Sequence, residues 1–498
     1  MSELSKARIN GVEYELKDTT ARQSSGGTVD LSGYLKKTEL TDAINTALAQ
    51  AKESGEFDGE PGYTPQKGVD YFDGEPGYTP QKNVDYFDGD DYILTDTDKN
   101  EIAEQAAMLV EIPVEKCTPQ MFGAVGDGVT DDASAFDSWL NHIAENNIDG
   151  YIPNGTYLVK RGVGYKPSAP SGKRISFVGE SADKTIIKAG FSAGNVFDFR
   201  KCYLGEFGNL TIDNNESSAN EYGVTGFQML DMQYTENVFS YIHDINIINV
   251  GRRAAIIYNT ANDGTPSIAY VNMVRVNAVG FTADRTAWGS DSNPTPVGII
   301  VADTAHFHFI NCTSKNFKHY PLEFKNYTEC CSNENCVIEN CGYGLYLGQE
   351  GVPADAICHT HYKAIGNVIK DTSIGVMAAK LAHCTFDNNT IIPPDGDSAA
   401  TGFAFNPPCE YVTGAGNNYY GDRYAVQFRN GTGESVCHDN VIEIAIHKSV
   451  FTTPYMFADD CQRCSVIATN YQTIAKNKNV DSNNNSFIPI VNVLTDMT

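Results

Sequence analysis

Between residues 175 and 480, short apolar runs alternate with Asn/Gly corners in a register that few folds can accommodate. An Asn two residues before an apolar or aromatic residue recurs at Asn246, Asn272, Asn311 (a weak match), Asn335, Asn367, Asn389, Asn417, Asn440 and Asn470. The intervals are 26, 39, 24, 32, 22, 28, 23 and 30 residues, close to the ~22–30 that one turn of a parallel β-helix needs. In that fold short strands stack about 4.8 Å apart, and like corners pile up. Corner asparagines can then exchange amide hydrogen bonds up the pile, as in cross-β stacks. A β-sandwich would use shorter turns and less uniform corners. The chain is therefore expected to be all-β, a right-handed single-stranded parallel β-helix over residues 117–480, with 481–498 as a C-terminal tail.

Composition agrees. With Gly 44, Tyr 27 and Phe 24 in 498 residues, β-structure with many corners is favoured, and a chain this long needs either several domains or a core extended by repetition. Lys+Arg 36 against Asp+Glu 63 gives a formal charge of −27, a field that repels phosphate backbones and anionic lipid. Nucleic acid is excluded as a partner on that ground. No stretch of about 18 apolar residues occurs, so membrane insertion is not expected. The start, MSELSKARINGVEYEL, lacks the apolar segment of a secretory signal, and folding in a cytosol without such export is expected. The 13 Cys begin at Cys117, are odd in number and crowd at Cys330, Cys331, Cys336 and Cys341 without framework spacing. Buried thiols explain them better than disulfides.

The first hundred residues read differently. Ile9 to Leu16 alternate around an Asn10-Gly11 turn, a small β element followed by a polar joint within residues 1–30. In residues 31–56, Leu40, Ile44, Ala47 and Ala51 follow 4-3-4 spacing over 38–53, the seam of a short coiled coil that needs partner chains. Residues 57–91 hold a tandem repeat, DGEPGYTPQKGVDYF at 58–72 and DGEPGYTPQKNVDYF at 73–87. Pro65 stands where a collagen triplet needs Gly, so an extended neck is expected rather than a triple helix. Residues 92–116 form a second helix with Ile102, Ala106 and Leu109 as its seam.

From Cys117 the texture changes. PQMFGAVGDGVTDDASAFDSWLNHIAENNIDGYIPNGTYLV carries a Gly-rich turn, then Asp131 or Asp132 capping a helix whose Phe136, Trp139, Leu140 and Ile143 share one face. Asn154-Gly155 is expected to close a hairpin between Tyr151-Ile152 and Tyr157–Val159. This segment, residues 118–159, closely resembles the N-terminal signature of the pectate-lyase-3 (rhamnogalacturonase/epimerase-like) β-helix superfamily, which includes many phage tailspikes. The doubled GYTPQK neck and the INGVEYELKDTTAR start resemble parts of tail proteins from phages of Gram-positive bacteria. The resemblance implies a homotrimer, assembled in a host cytoplasm and carried on the virion, with residues 1–30 attaching to phage tail or baseplate proteins. Asp127, Asp131 and Asp132 lie in the signature, yet a turn and a helix start need carboxylates there for structural reasons.

Sugar-cleaving members of that superfamily use paired carboxylates, and lyases use a base with a cation. The polygalacturonase series of Asn-Thr-Asp, Asp-Asp, Gly-His-Gly and Arg-Ile-Lys is absent in order. Aligning the strands after the corners by their inward residues leaves Ile257, Ile300, Glu323, Tyr346 and Gln427 pointing out, with Asp303, Asn326, Gln349 and Asn430 stacked at strand ends. Asp303 and Glu323 on adjacent coils are thus the candidate catalytic pair. The long rung between Val279 and Pro296 carries Asp284, Arg285, Trp288 and Asp291; with Tyr346, the first three are the candidate sugar contacts. His306 with His308, and Cys461 with Cys464, lack further ligands at metal spacing, so neither a metal nor a cofactor is expected. The reading is a tail spike or fibre protein that binds, and as a hydrolase or lyase would depolymerise, bacterial surface polysaccharide. A purely structural tail component and a bacterial polysaccharide lyase or hydrolase are the alternatives.

Overall fold

The computed structural model describes residues 6–9, 12–15 and 116–491, apart from 233–238, 259–267, 288–295, 349–355, 430–435, 448–454, 460, 471–478 and 481–482. The chain divides into two units, Met1–Glu115 and Lys116–Thr498. In the first, Lys6–Ile9 pairs antiparallel with Val12–Glu15, Ile9 opposite Val12, as the flanking Asn-Gly dipeptide leads one to expect. The two seam helices and the tandem repeat lie outside the described residues.

The second unit is a parallel β-helix. It opens on the helix Ala133–Asn146, whose Phe136, Trp139, Leu140 and Ile143 are all fully buried. Burying each contributes roughly 1.5–3 kcal/mol. The Trp139 indole donates to the Cys117 carbonyl at 2.9 Å, and its ring meets Phe177 edge-on at 5.1 Å. Gly150 makes this possible: a Cβ there would lie 2.3 Å from Trp139 Cζ2.

Two local expectations are corrected here. Gly150–Ile152 and Gly155–Val159 do not form a hairpin; each pairs in parallel with the next coil, at Arg174–Gly179 and Thr185–Ala189. Asn-Gly supplies a bend, and the stacked coil supplies better partners than the neighbouring strand. Of the two capping candidates, Asp131 reaches the first helical amide and Asp132 does not cap with its side chain. It occupies the N-cap position, yet its carboxylate accepts from the amides of Val125 at 2.7 Å and Gly126 at 3.2 Å, tying down the Gly-rich turn. Asp131 accepts from Ala133 N at 3.2 Å and Lys160 N at 3.0 Å, and Asp127 organises its own turn through Val129 and Thr130.

Beyond this cap each coil contributes to three parallel sheets. The first sheet runs through Gly194–Arg200, Val224–Leu230, Arg253–Tyr258, the start of Val297–Ile310, the start of Leu322–Glu329, Tyr343–Gly348 and the start of Ile374–Ala382. The second includes Ile268–Val274, the end of Val297–Ile310 and Ser332–Glu334. The third includes Asn277–Gly280, Thr313–Lys315, Val337–Glu339 and Val368–Lys370. One residue with positive φ turns the chain from the second sheet to the third: Asn209, Asp244, Arg275, Asn311, Asn335, Gly366 and Asn388, with φ from 52 to 68°. This left-handed conformation costs most L-residues about 1–2 kcal/mol and Asn less, which is why asparagine punctuates the sequence.

The recurring asparagines are thus several columns rather than one. Asn311 and Asn335 are corner residues. Asn246 and Asn272 lie within strands of the third and second sheets. Asn367, Asn389 and Asn417 follow their corners, are fully buried and form the expected ladder: Asn367 Nδ2 donates to Asn389 Oδ1 at 2.8 Å, and Asn389 Nδ2 to Asn417 Oδ1 at 3.1 Å.

The same geometry accounts for the cysteines. A left-handed corner residue breaks the alternation of the strand, so the next side chain enters the core. Cys312 follows Asn311, Cys336 follows Asn335, Cys341 follows Asn340 and Cys384 follows His383, each fully buried. Their thiols reach carbonyls of the preceding coil, Cys312 to Met273 at 3.2 Å and Cys336 to Phe309 at 3.5 Å. Of the 13 free thiols only Cys330 is not buried. A thiol reagent should therefore modify one cysteine per native chain, Cys330, and all thirteen after unfolding; several fast-reacting native thiols, counted by mass, would contradict this packing.

Candidate functional site

On the outer side of the first sheet the register stacks Asp198, Gln228, Ile256, Ile300, Glu323, Tyr346, Met377, Ala404 and Gln427, one per coil. Ile300, Glu323, Tyr346 and Gln427 face away from the core, as the sequence led us to expect. Ile257 does not. It is fully buried, and Ile256 takes the outer place. Ala255 and Ile257 pair with the inward Ile299 and Val301 in unbroken register, so the inward set of this strand lies one residue earlier than expected.

Polar groups gather at three stations along this face. At one end Asp198 receives a two-pronged contact from Arg200, at 2.8 and 2.7 Å, and a bond from Gln228 Nε2 at 3.1 Å. At the other, Arg429 reaches Gln427 Oε1 at 3.1 and 2.9 Å and the Met377 sulfur at 3.6 Å. Between them lies Glu323, 2% exposed, directly opposite Tyr346. A Cβ on Gly348 would sit 2.7 Å from Glu323 Oε1, so the absence of a side chain there lets the carboxylate lie over the neighbouring strand.

Around Glu323 stands an aromatic cluster. Tyr320 lies 4.2 Å from Tyr346 between ring centroids, Tyr343 lies 5.6 Å from Tyr346, and His319 lies 5.7 Å from Tyr343. Burial first, then Tyr320 and the Glu323 charge, push the Tyr346 phenol well above its ordinary pKa, so it stays neutral and serves as a hydrogen-bonding platform rather than a base. Burial lowers the Arg253 pKa while Glu323 pulls it back up, which places a cation within electrostatic reach of that carboxylate. Sequence reasoning missed Arg253, Tyr320 and Tyr343. Tyr320 and Tyr343 precede Glu323 and Tyr346 by the same three residues, a signal that was there to find.

The remaining candidates are placed differently. Asp303 lies three residues past Ile300, the partner of Glu323, at a left-handed corner (φ 52°). Its Oδ2 accepts from Asn326 Nδ2 at 3.3 Å, the strand-end stacking expected of these two; Gln349 and Asn430 lie outside the described residues. Asp303 and Glu323 are on adjacent coils, about 10 Å apart along the strand direction at ~3.3 Å per residue. Asp284 accepts from the Thr286 hydroxyl at 2.7 Å and amide at 2.9 Å, contacts that lower its pKa. Arg285 donates to Asn340 Oδ1 at 2.7 Å and to the Asp371 carbonyl, pinning the long rung onto the corner between the third and first sheets. Trp288 and Asp291 lie outside the described residues. His306 and His308 diverge: His306 stacks on Tyr270 at 4.8 Å, and His308 bonds Ser332 at 2.8 Å.

Beneath the site, fully buried His359 accepts from Thr328 Oγ1 at 2.7 Å and donates Nε2–H to the Gly348 carbonyl at 2.9 Å. Burial lowers its pKa to about 4 from 6.5. Because the folded value lies below the unfolded one, this contribution to stability is complete above pH ~6.5 and is lost as pH falls toward 4, on the order of 3 kcal/mol in all. His359→Gln should flatten the acid limb of a stability-versus-pH curve; an unchanged limb would place the proton elsewhere.

Residues 120–351 match the family model described as rhamnogalacturonase A/epimerase, pectate lyase-like. No curated protein matches the sequence. Among solved structures, the N-terminal fragment of gene product 12 of bacteriophage phi29 is similar at TM-score 0.48 and 14% identity, over 78% of this chain and 73% of that one. ORF18 of Geobacillus virus E2 is similar at TM-score 0.39 and 17% identity, over 80% and 65%. The Agl-KA catalytic domain is similar at TM-score 0.50 and 16% identity, over 76% and 69%, a likeness of fold alone. With its stacked coils, the second unit of this chain is a parallel β-helix, and the part of it from residue 120 to 351 is similar to the rhamnogalacturonase A/epimerase, pectate lyase-like family.

Proposed function

We propose that this chain is a bacteriophage tail spike or fibre protein whose β-helix binds bacterial surface polysaccharide along the outer face of the first sheet. The observation that carries this reading is the central station, where Glu323 is held among Tyr320, Tyr343 and Tyr346 with Arg253 in electrostatic reach. Aromatic platforms beside a few fixed polar groups are what a sugar-binding surface needs. The tail assignment is supported by the GYTPQK repeats and the start of the chain, which resemble tail-protein segments; the seam helices support a homotrimer joined to the tail through residues 1–30. Asp284, Arg285 and Trp288 of the long rung are the further sugar contacts in this reading. Asp303 and Glu323 are the carboxylates a cleavage step would use, with Arg253 as the cation of a lyase. Their positions are offset by about 10 Å along the strand direction, more than the about 5–5.5 Å between carboxyls that retention needs.

The test is to incubate the purified full-length protein with capsular and teichoic-acid preparations of Gram-positive hosts. Binding is expected for one glycan class. New reducing ends would mark hydrolysis, and ultraviolet absorbance of an unsaturated uronyl end would mark elimination. Absence of binding to every preparation would favour the purely structural reading.

A further inference from the structure

The corner within the second sheet forms a column of its own. Ala269, Ala305, Glu329, Thr360, Ala382 and Glu410 are in successive register, and each is followed by a left-handed residue: Tyr270, His306, Cys330, His361, His383 and Tyr411, with φ from 53 to 63°. In a regular strand adjacent side chains point to opposite faces. At this column the left-handed residue turns outward beside its predecessor, and the following residue, Cys331 in one coil and Tyr362 in the next, takes the inward place.

We propose that Glu329, Cys330 and His361 bind a borderline-soft divalent transition-metal ion, Zn²⁺ foremost. One ligand atom from each, a carboxylate oxygen, the thiol sulfur and an imidazole nitrogen, lies within 4.8 Å of the others. In a tetrahedral zinc site, bonds of about 2.0–2.3 Å set ligand atoms roughly 3.3–3.7 Å apart, so closure needs shifts of about 1 Å from side chains that are exposed or half-buried. Sulfur and imidazole donors select zinc over magnesium or calcium. The thiol is the one that the packing of the other twelve leaves out of the core. The fourth position falls to water or to an imidazole of the same column. His306 occupies the rung below Cys330, and the His383 ring stacks 5.6 Å above that of His361, 17° from parallel. The ion would tie adjacent coils together on the second sheet, away from the glycan surface of the first, so this proposal stands whatever becomes of that reading.

The experiment uses full-length protein without an affinity tag, stripped of metal with a chelator and then dialysed. Zn²⁺ is titrated by calorimetry, Co²⁺ is added separately to look for thiolate-to-metal absorption, and the rate of Cys330 labelling is followed with and without Zn²⁺. The expected results are one equivalent per chain, a cobalt–thiolate band and at least roughly tenfold slower labelling. Cys330→Asn and His361→Asn, which keep a residue suited to a left-handed corner, should each weaken Zn²⁺ binding by roughly tenfold or more. Unchanged labelling of Cys330 in saturating Zn²⁺, or unchanged stoichiometry and affinity in Cys330→Asn, would overturn the proposal.

Discussion

Asn389→Ala is expected to lower the stability of the β-helix by about 3–5 kcal/mol, read as a reduced denaturant midpoint. Asn389 is fully buried and makes four bonds. Its Nδ2 donates to the Ala364 carbonyl at 2.9 Å and to Asn417 Oδ1 at 3.1 Å, while its Oδ1 accepts from the amide of Asn367 at 3.1 Å and from Asn367 Nδ2 at 2.8 Å. Alanine removes all four and strands a buried backbone N–H, a penalty of roughly 1–3 kcal/mol. It also leaves a cavity. Against a typical net stability of about 5–15 kcal/mol this is a large fraction, whereas Asn277→Ala, at a half-buried position with one long bond of 3.3 Å to Asn246, should cost under about 1 kcal/mol. Equal losses at the two sites would mean that the ladder contributes nothing beyond burial.

The second large effect concerns the glycan surface. Tyr346→Ala is expected to weaken binding at least roughly tenfold, because it removes the ring that pairs with Tyr320 and overlies Glu323. Glu323→Gln keeps the shape and removes the charge. It should leave binding within a few-fold and, where the wild-type protein releases sugar ends, slow that release by about 10²–10⁴-fold, the range of a lost acid–base group. Full cleavage by Glu323→Gln would remove that residue from the chemistry. Unchanged affinity in Tyr346→Ala would move the binding surface off the first sheet.

What could be read from the sequence was local chemistry repeated at intervals. Asn311 and Asn335 announce corners because few residues tolerate a left-handed backbone, Asn389 marks the position just after one, and the cap helix announces itself through Phe136, Trp139 and Ile143 on one stripe. Register was harder to read. In Arg253–Tyr258 the small Ala255 and not the larger Ile256 takes the inward place opposite Ile299, and side-chain size alone does not mark that choice. The Asn154-Gly155 bend suggested a hairpin because its true partners, Ile186 and Ile187 on the next coil, lie some thirty residues on. Asp132 is the right residue type at the right position, and only the fold reveals that its carboxylate turns back to Val125 and Gly126. Glu323 and Tyr346 were legible as outward neighbours. That Glu323 is buried among tyrosines was not, because what closes over an outer face is not written in the strand that carries it.

The most direct test is a high-resolution map of the full-length protein with a bound oligosaccharide released from a host glycan that it binds. Sugar density is expected along the outer face of the first sheet, against Tyr320, Tyr343 and Tyr346 and within hydrogen-bond reach of Glu323. Density seated on the second or third sheet, with the tyrosine cluster empty, would contradict this placement.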